Sequence, residues 1–339
     1  MTKLFTPMNC IDDAKASYLA SEGVRLLQNH SHIDVIPDIH ADLDRLTKTL
    51  TYLGYRESAS CWAHPEGRIV AFLGDFIDGG DQNSVVISLV RAMQRHGHAI
   101  AIMGNHELNA LLYHEHGENS ERTSDGFMRA HTLKNTAQHE TFLKEFPIGA
   151  PQTQEVLDWF MTLPLFMDLP GIRLVHAYWD DRHIDTIRRR TGDARLKRDD
   201  LQELAFETDA SPFADAVLSS LKGPEAELPH GHSFTDIKGH TRTAVRLKWW
   251  QAGDRTWRSS ALSVPRSDDL PDTPVIESGG INFYGAQEKP VFFGHYKMLS
   301  QPELAAHNAL CLDYIERPCA YRWNGEQLLS TDNLILVPK

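Results

Sequence analysis

The chain has 339 residues, of which 41% are hydrophobic and 24% are charged, a composition typical of a globular protein with a substantial core. Its net charge of −12 argues against a general nucleic-acid binder or a protein of anionic membranes, because both classes usually carry excess Lys and Arg. A phosphorylated substrate stays compatible with this charge, since bound divalent cations would reverse its sign locally.

The first thirty residues predict a helical extension and no targeting signal. Apolar side chains recur at helical spacing within residues 11–30, whereas residues 1–10 lack the apolar core of a secretory signal. No stretch is long and apolar enough to span a membrane. The cysteines are few and show no metal-type pairing; they are Cys10, Cys61, Cys311 and Cys319. We therefore expect reduced thiols, a cytoplasmic location and no membrane partner.

Short apolar runs then alternate with segments of helical spacing. The runs at 33–36, 69–73 and 99–103 predict buried strands. Each is followed by apolar residues at helical spacing, and the first two of these helices are predicted to end at Gly54 and Gly97. This alternation predicts right-handed βαβ crossovers and a parallel sheet segment.

The second half of the chain has a less regular pattern. After a predicted helix at 155–163 and a strand at 172–175, residues 180–285 are rich in charge, Pro and Gly and contain one candidate strand, 244–250. We interpret 180–285 as an elaboration inserted between strands of a single domain that covers residues 1–339. The C-terminal part returns to strands, and its Asn324-Gly325 pair predicts a tight hairpin.

Five polar motifs each stand where an apolar run ends, and they are the strongest functional signal. They read Asp-x-His at 38–40, Gly-Asp-x-x-Asp at 74–78, Gly-Asn-His-Glu at 104–107, His-Ala at 176–177 and Gly-His at 294–295. Side chains at the carboxyl ends of strands form the sites of open α/β folds. The candidate metal ligands in these motifs are Asp38, His40, Asp75, Asn105, His176 and His295.

The residue types of this set predict a two-metal hydrolase. Asp38 and His40 are two apart, so in an extended segment both point towards one ion. Asp75 has two carboxylate oxygens and can bridge two ions. The mixed nitrogen and oxygen donors suit Mn, Fe, Zn, Co or Ni, with manganese as our first expectation, better than Mg or Ca. Two divalent ions would outweigh two aspartates, attract a phosphate and produce a bridging hydroxide near neutral pH.

One histidine in these motifs is not needed as a ligand. His106 follows Asn105 directly and is the candidate general acid that protonates the leaving oxygen. Asp78 would orient His106 and stabilise its charged form. Glu107 is expected to support the start of the helix electrostatically.

The order of the five motifs resembles the calcineurin-like metallophosphoesterases. It is most similar to the phosphoprotein phosphatase type, which includes bacterial and phage protein phosphatases and symmetrical dinucleoside tetraphosphate hydrolases. The resemblance implies a four-layer αββα sandwich with mixed sheets and a dinuclear metal centre at the strand ends. It implies one ion held by Asp38, His40 and Asp75, and a second held by Asp75, Asn105, His176 and His295.

Two departures from the family pattern concern the substrate. The family usually has Gly-Asp-x-x-Asp-Arg-Gly, but Gly79 stands here in place of the arginine that grips a phosphate oxygen. Pro37 and Ala41 stand where glycine is usual. Arg242 and Arg246 are the candidate replacements for the missing phosphate contact.

These observations predict a metal-dependent phosphoesterase, most simply a phosphomonoesterase of the Ser/Thr protein phosphatase type acting on a phosphoprotein. A hydrolase of dinucleoside polyphosphates or other nucleotides is the first alternative, and a non-catalytic metal-binding scaffold is the second. His240 lies in a Gly-His-Thr sequence and rivals His295 as a ligand, although the strand before His295 is the better one. The histidines His114, His116, His230 and His232 have zinc-like spacing but are expected at the surface.

Overall fold

The computed structural model describes residues 32–338 except 59–60, 118–124, 206–210, 237–238, 252–254 and 276–280, so the predicted N-terminal helix lies outside the described residues. The strands are β1 (Ile33–Ile36), β2 (Arg56–Glu57), β3 (Trp62–Ala63), β4 (Ile69–Phe72), β5 (Ala99–Ala101), β6 (Phe166–Asp168), β7 (Arg173–Val175), β8 (Glu225–Glu227), β9 (Phe234–Thr235), β10 (Thr241–Arg242), β11 (Ala244–Leu247), β12 (Ala261–Leu262), β13 (Val291–Phe293), β14 (Ala309–Cys311), β15 (Cys319–Trp323) and β16 (Leu334–Leu336). The α-helices are α1 (Leu43–Leu53), α2 (Asn83–Arg95), α3 (Asn105–His114), α4 (Leu133–Gln138), α5 (Glu140–Glu145), α6 (Pro151–Met161), α7 (Asp181–Thr191), α8 (Asp200–Leu204), α9 (Pro212–Lys222) and α10 (Trp257–Ser260). None of these helices has the length and apolarity needed to cross a bilayer.

The first sheet has the strand order β16-β15-β1-β4-β5. Strands β1, β4 and β5 are parallel, with Ile33 opposite Ile69 and Val70 opposite Ala99, as the strand and helix alternation predicted. Strand β15 pairs antiparallel to β1, which makes the sheet mixed. The parallel strands are buried throughout, because helices cover one face and the second sheet covers the other.

Helix α1 shows why the spacing of apolar residues predicted a helix here. Leu46, Leu50 and Leu53 recur at helical spacing and are all buried, which removes apolar area worth roughly 1.5–3 kcal/mol for each side chain. Asp42 caps the start by accepting the N–H of Arg45 at 2.9 Å. The helix ends at Gly54 as predicted, because Gly54 takes the left-handed conformation with φ +95°.

The second sheet has the order β14-β13-β7-β6 and packs against the first. Alternate residues of the two sheets form one apolar cluster; among them are Val35, Ala71, Leu174, Phe292 and Leu310. The opposite faces of the sheets belong to a second cluster shared with the helices. The α/β sandwich with mixed sheets expected from the resemblance is therefore confirmed.

Residues 180–285 contain more regular structure than predicted. They include helices α7, α8, α9 and α10 and a three-stranded antiparallel sheet of order β12-β11-β8. Helix α7 escaped prediction because only Ile184 and Ile187 of its eleven residues are buried, too few for a clear period. Trp249 is buried in this stretch and its ring packs 4.6 Å from that of Phe293 on β13.

The prediction of a tight Asn324-Gly325 hairpin is wrong. Strand β15 pairs with β16 such that Tyr321 faces Leu334, so the connection spans 324–333. Glu326 organises this longer loop by accepting the N–H of Asn324 at 2.7 Å and the Tyr321 hydroxyl at 2.8 Å. These side-chain hydrogen bonds replace the ladder bonds that a two-residue turn would have made.

Candidate active site

The six candidate ligands lie at the carboxyl ends of strands from both sheets. Asp38 and His40 follow β1, Asp75 follows β4, Asn105 begins α3 after β5, and His176 and His295 follow β7 and β13. The strand ends of the two packed sheets meet, and this brings together side chains that are far apart in the sequence. The structure thus places all six residues around one cluster.

Asp75 lies at the centre of this cluster and is 2% exposed. Three imidazole nitrogens surround its carboxylate: His176 Nε2 lies 3.5 Å from Oδ1, and Nε2 of His106 and of His40 lie 3.8 and 4.0 Å from Oδ2. Although burial disfavours its charge, the neighbouring histidines hold the pKa of Asp75 well below its usual range. Asp75 is therefore an ionised carboxylate shared by several donors.

His176 and His295 converge on the side-chain oxygen of Asn105. The His176 Nδ1–H donates to the carbonyl of Leu73 at 2.7 Å, which leaves Nε2 facing Asn105 Oδ1 at 3.1 Å. His295 Nδ1 lies 2.7 Å from the same oxygen. Burial opposes a charge on His176, but Asp75 and Asp38 outweigh it and raise the pKa of His176 to about 10. The carboxylates thus create a field that attracts positive charge.

Asp38 and His40 complete the cluster on its other side. Both oxygens of Asp38 accept the backbone N–H of His295 at 3.1 Å, and Asp38 Oδ2 lies 3.9 Å from His40 Nε2. Burial, with Asp75 nearby, raises the pKa of Asp38 to about 6. Burial lowers the pKa of both His40 and His295. Both rings are therefore neutral near pH 7, the form of imidazole that binds metal ions.

The donor set fits two cations that share Asp75. One group of mutually close donor atoms comes from His40, Asp75 and His106, and the other from Asp75, His176 and His295. The buried Nε2 atoms of His40 and His295 have no hydrogen-bond partner among the described residues. A buried imidazole nitrogen of this kind costs free energy unless it binds something.

The backbone of the site is unusual and could not be predicted from the sequence. Among the described residues, eight other than glycine have positive φ, and five of these lie in or beside the cluster: His40, Ala41, Asp75, Asp78 and His295. Such conformations cost on the order of 1–3 kcal/mol each and concentrate at functional sites. At Gly294 a Cβ atom would overlap Asp38 Oδ1, so this position has to be glycine for His295 to reach the cluster.

His106 sits at the edge of the cluster with a partner of its own. Its Nδ1–H donates to Asp78 Oδ2 at 2.6 Å, and its Nε2 points towards Asp75. Burial opposes a charge on His106, but Asp75 and the hydrogen bond to Asp78 raise the pKa of His106 to about 9. His106 therefore holds a proton on a ring whose orientation is fixed.

Comparison with known proteins identifies the family. The family model described as "Calcineurin-like phosphoesterase" matches residues 31–295, which is more than half of the chain. This chain belongs to the calcineurin-like phosphoesterases. The resemblance noted from the motifs is thus confirmed, and the family name supports the predicted enzyme class, a phosphoric ester hydrolase.

Two bacterial relatives of this phosphoesterase carry the same description, asymmetrical bis(5′-nucleosyl)-tetraphosphatase PrpE. The protein of Oceanobacillus iheyensis is 28% identical over 212 residues, 62% of this chain and 76% of that protein. The protein of Halalkalibacterium halodurans is 38% identical over 73 residues, 22% of this chain and 30% of that protein. A Saccharomyces cerevisiae protein serine/threonine phosphatase of known structure aligns with a TM-score of 0.45 and 11% identity, covering 96% of this chain and 89% of that one.

Glu107 has a larger structural role in this phosphoesterase than its predicted support of the helix start. It is fully buried, and its carboxylate accepts the N–H groups of Gly104, Asp75 and Phe76 at 2.8–2.9 Å. Burial together with Asp75 raises the pKa of Glu107 to about 7. Glu107 thus fixes the loop of Asp75 to the start of α3.

The remaining histidines differ from one another in environment. His240 is exposed on its loop beside Asp236, whereas His295 is in the cluster, which agrees with the preference for His295. The expectation that His114 lies at the surface is wrong: both of its ring nitrogens are buried, and its ring lies 5.5 Å from that of His139. Helix α3 turns His114 inwards, where its ring packs against His139 and Phe142 of the segment that follows.

The two arginines proposed as substrate contacts have acidic partners. Arg242 Nε donates to Asp236 Oδ2 at 2.9 Å, and Arg246 Nε donates to Glu225 Oε1 at 3.1 Å. Arg246 is close enough to His295 to contribute to the lowering of its pKa. Gly79 has φ +86°, and a Cβ there would lie 3.3 Å from His40 Cβ, so an arginine would be strained at this position.

Metal binding to this phosphoesterase is expected to strengthen as the pH rises above 7. The pKa of His176 is about 10, so the ring is protonated at neutral pH and a cation at Nε2 has to displace that proton. We expect release of about one proton per protein and up to about tenfold tighter binding per pH unit between pH 7 and 9. Titration calorimetry with Mn²⁺ in buffers of different ionisation enthalpy measures both quantities. An affinity that does not change with pH would contradict the assignment of His176.

Proposed function

We propose that this protein is a metal-dependent phosphomonoesterase of the Ser/Thr protein phosphatase type, with manganese as the resident metal and water as the nucleophile. The observation that carries the proposal is the buried pair of His106 and Asp78 beside two groups of donors that share Asp75. The donors proposed to hold the ions are Asp38, His40, Asp75, Asn105, His176 and His295.

The roles in hydrolysis follow from this arrangement. Two ions at these donors would supply an activated water and neutralise charge on the phosphoryl oxygens. His106 donates the proton on Nε2 to the leaving oxygen, and Asp78 holds the ring at Nδ1 and stabilises its charged form. Because water is the nucleophile, no residue of this chain becomes phosphorylated.

The His106–Asp78 pair favours an ester substrate over an anhydride. A proton donor matters most where the leaving oxygen is strongly basic, as in the alkoxide of serine. When a nucleotide leaves through a phosphate oxygen, that oxygen is much less basic than a serine alkoxide and needs less protonation. A proton donor whose orientation is fixed by Asp78 therefore fits a phosphoserine or phosphothreonine substrate.

A dinucleoside polyphosphate is the second candidate substrate. It is favoured by the two bacterial relatives, which are described as bis(5′-nucleosyl)-tetraphosphatases. The glycine at position 79 also removes the side chain that grips a phosphate oxygen in the protein phosphatase pattern. Arg246 remains the proposed phosphate contact, since it lies within electrostatic range of His295; Arg242 remains a weaker proposal.

A matched substrate panel tests the proposal. With Mn²⁺ bound, we expect a higher kcat/KM for a phosphoserine peptide than for a bis(5′-nucleosyl) tetraphosphate, and no turnover after chelation of the metal. The opposite preference would select the second candidate. Elemental analysis would show whether two ions are bound per chain. If they are and no substrate is turned over, the proposal is overturned and the alternative of a non-catalytic metal-binding scaffold is favoured.

A further inference from the structure

A second histidine, distant from the five motifs, holds the partner of the proposed acid. His139 Nδ1–H donates to Asp78 Oδ1 at 2.8 Å, while His106 Nδ1–H donates to Asp78 Oδ2 at 2.6 Å. Each oxygen of the buried Asp78 carboxylate thus accepts from one imidazole. His139 lies in the polar stretch between α3 and α6, where the sequence offers no catalytic motif.

We propose that His139 is a positioning residue, which fixes the Asp78 carboxylate so that Asp78 in turn fixes the ring of His106. This inference rests on the proposed function, because it assigns a role towards the same acid. A carboxylate bound at one oxygen can rotate about its Cβ–Cγ bond, whereas one bound at both oxygens has a single orientation. The Nε2 atom of His106 then stays directed into the cluster.

The environment of His139 supports this role. The residue is 4% exposed, its ring stacks on Phe142 with centroids 4.7 Å apart, and Nε2 has no hydrogen-bond partner among the described residues. Its polar interaction is therefore directed at Asp78. Although burial disfavours the charge of Asp78, the hydrogen bonds from His106 and His139 lower the pKa of Asp78, so the carboxylate stays ionised.

The same segment contacts the Asp78 loop at a second point. Glu145, at the end of α5, accepts the N–H of Asn83 at 2.8 Å and the N–H of Ser84 at 2.9 Å. Asn83 Oδ1 in turn accepts the N–H of Asp78 at 3.0 Å. Both ends of helix α5 therefore contact the Asp78 loop: His139 does so at the start of the helix and Glu145 at its end.

This support matters because the Asp78 loop is intrinsically strained. Asp78 has φ +66°, which is costly for a residue with a side chain, and Gly79 follows it without any side chain. The contacts from His139 and Glu145 help to hold Asp78 in this conformation. The arrangement is a property of this chain and does not follow from its five motifs.

Two substitutions at His139 and one control test the inference. His139→Phe keeps the stacked ring and removes the donor, whereas His139→Asn keeps a donor near the position of Nδ1. The control is His131→Phe, because His131 is also stacked, 3.9 Å from Tyr113, but its Nε2–H donates to the Tyr113 carbonyl and not to Asp78. All variants are compared with the unsubstituted chain for metal content and thermal unfolding.

The decisive readout is the dependence of kcat on the leaving group. We expect His139→Phe to lower kcat about 10–100-fold for phenyl phosphate or a phosphoserine peptide, with KM and metal content unchanged. With a highly acidic nitrophenol as leaving group the loss should be small, because that oxygen needs little protonation. His139→Asn should recover most of the lost activity, and His131→Phe should resemble the unsubstituted chain.

The outcomes separate this inference from the proposed function. An equal loss for good and poor leaving groups, or no loss at all, would overturn the role of His139 while the unsubstituted chain still hydrolyses both esters. A lack of recovery in a folded His139→Asn would overturn it as well. If the unsubstituted chain hydrolyses no phosphate ester, the proposed function itself fails. The downfield Nδ1–H proton resonance of His106 provides an independent readout, since it should shift in His139→Phe.

Discussion

The substitution Asp75→Asn is expected to lower kcat/KM about 10³-fold or more and to reduce the bound metal. Asp75 is the donor common to both groups. The negative charge of its carboxylate attracts the surrounding imidazoles and would attract both cations. Loss of several kcal/mol of charge stabilisation corresponds to about three orders of magnitude in rate. Kinetics on an aryl phosphate and elemental analysis of the same sample measure the two effects.

The fold should tolerate Asp75→Asn, so a loss of activity can be assigned to the lost charge. The asparagine introduced by Asp75→Asn would keep an oxygen for the backbone N–H of His106, which now donates to Asp75 Oδ1 at 2.9 Å, so the fold should survive. The matched control is Asp200→Asn. Asp200 is 4% exposed and accepts the N–H of Lys197 at 2.8 Å, but it binds Arg190 and has no role proposed in hydrolysis. Full metal content and near-normal turnover in Asp75→Asn would contradict the central role of Asp75.

The convergence of the site was predictable because it depends on sheet topology. Once the runs before Asp38, Asp75 and Asn105 are assigned to neighbouring parallel strands, their carboxyl ends have to lie at one edge of the sheet. The apolar spacing that defines these strands and helices is local and survives folding. His176 and His295 were harder to place, since they reach the cluster only because the second sheet packs on the first.

Two features that escaped prediction depend on contacts distant in sequence. Nothing near His139 in the chain indicates that it binds Asp78, 61 residues earlier, because the contact is made by the packing of α5 on the Asp78 loop. The positive φ angles of His40 and Asp75 are likewise imposed by surrounding structure. Helix α7 was missed because only two of its eleven residues are buried, and the loop after Asn324 was misjudged because hydrogen bonds to the Glu326 side chain outweighed the turn propensity of Asn-Gly.

The substitution His106→Ala tests whether His106 is a proton donor or a metal ligand. As a proton donor, His106 contributes about 10²–10⁴-fold to kcat, so we expect a loss in this range on a phosphoserine peptide, with metal content unchanged. The loss should shrink for a nitrophenyl ester, because its leaving oxygen departs without a proton. Kinetics with both esters and elemental analysis are the measurements, and His183→Ala on α7 is the control.

The metal content is informative because of the geometry of the first donor group. His106 Nε2 lies 3.8 Å from Asp75 Oδ2, as close as His40 Nε2 at 4.0 Å, so distance alone does not separate a ligand from an acid. The 2.6 Å hydrogen bond from Nδ1–H to Asp78 stabilises a charged ring that can donate the proton on Nε2, which is why we propose His106 as the acid, and the metal content tests this choice. If His106→Ala lost an ion, His106 would be a ligand and the proton donor would have to be sought elsewhere in the cluster.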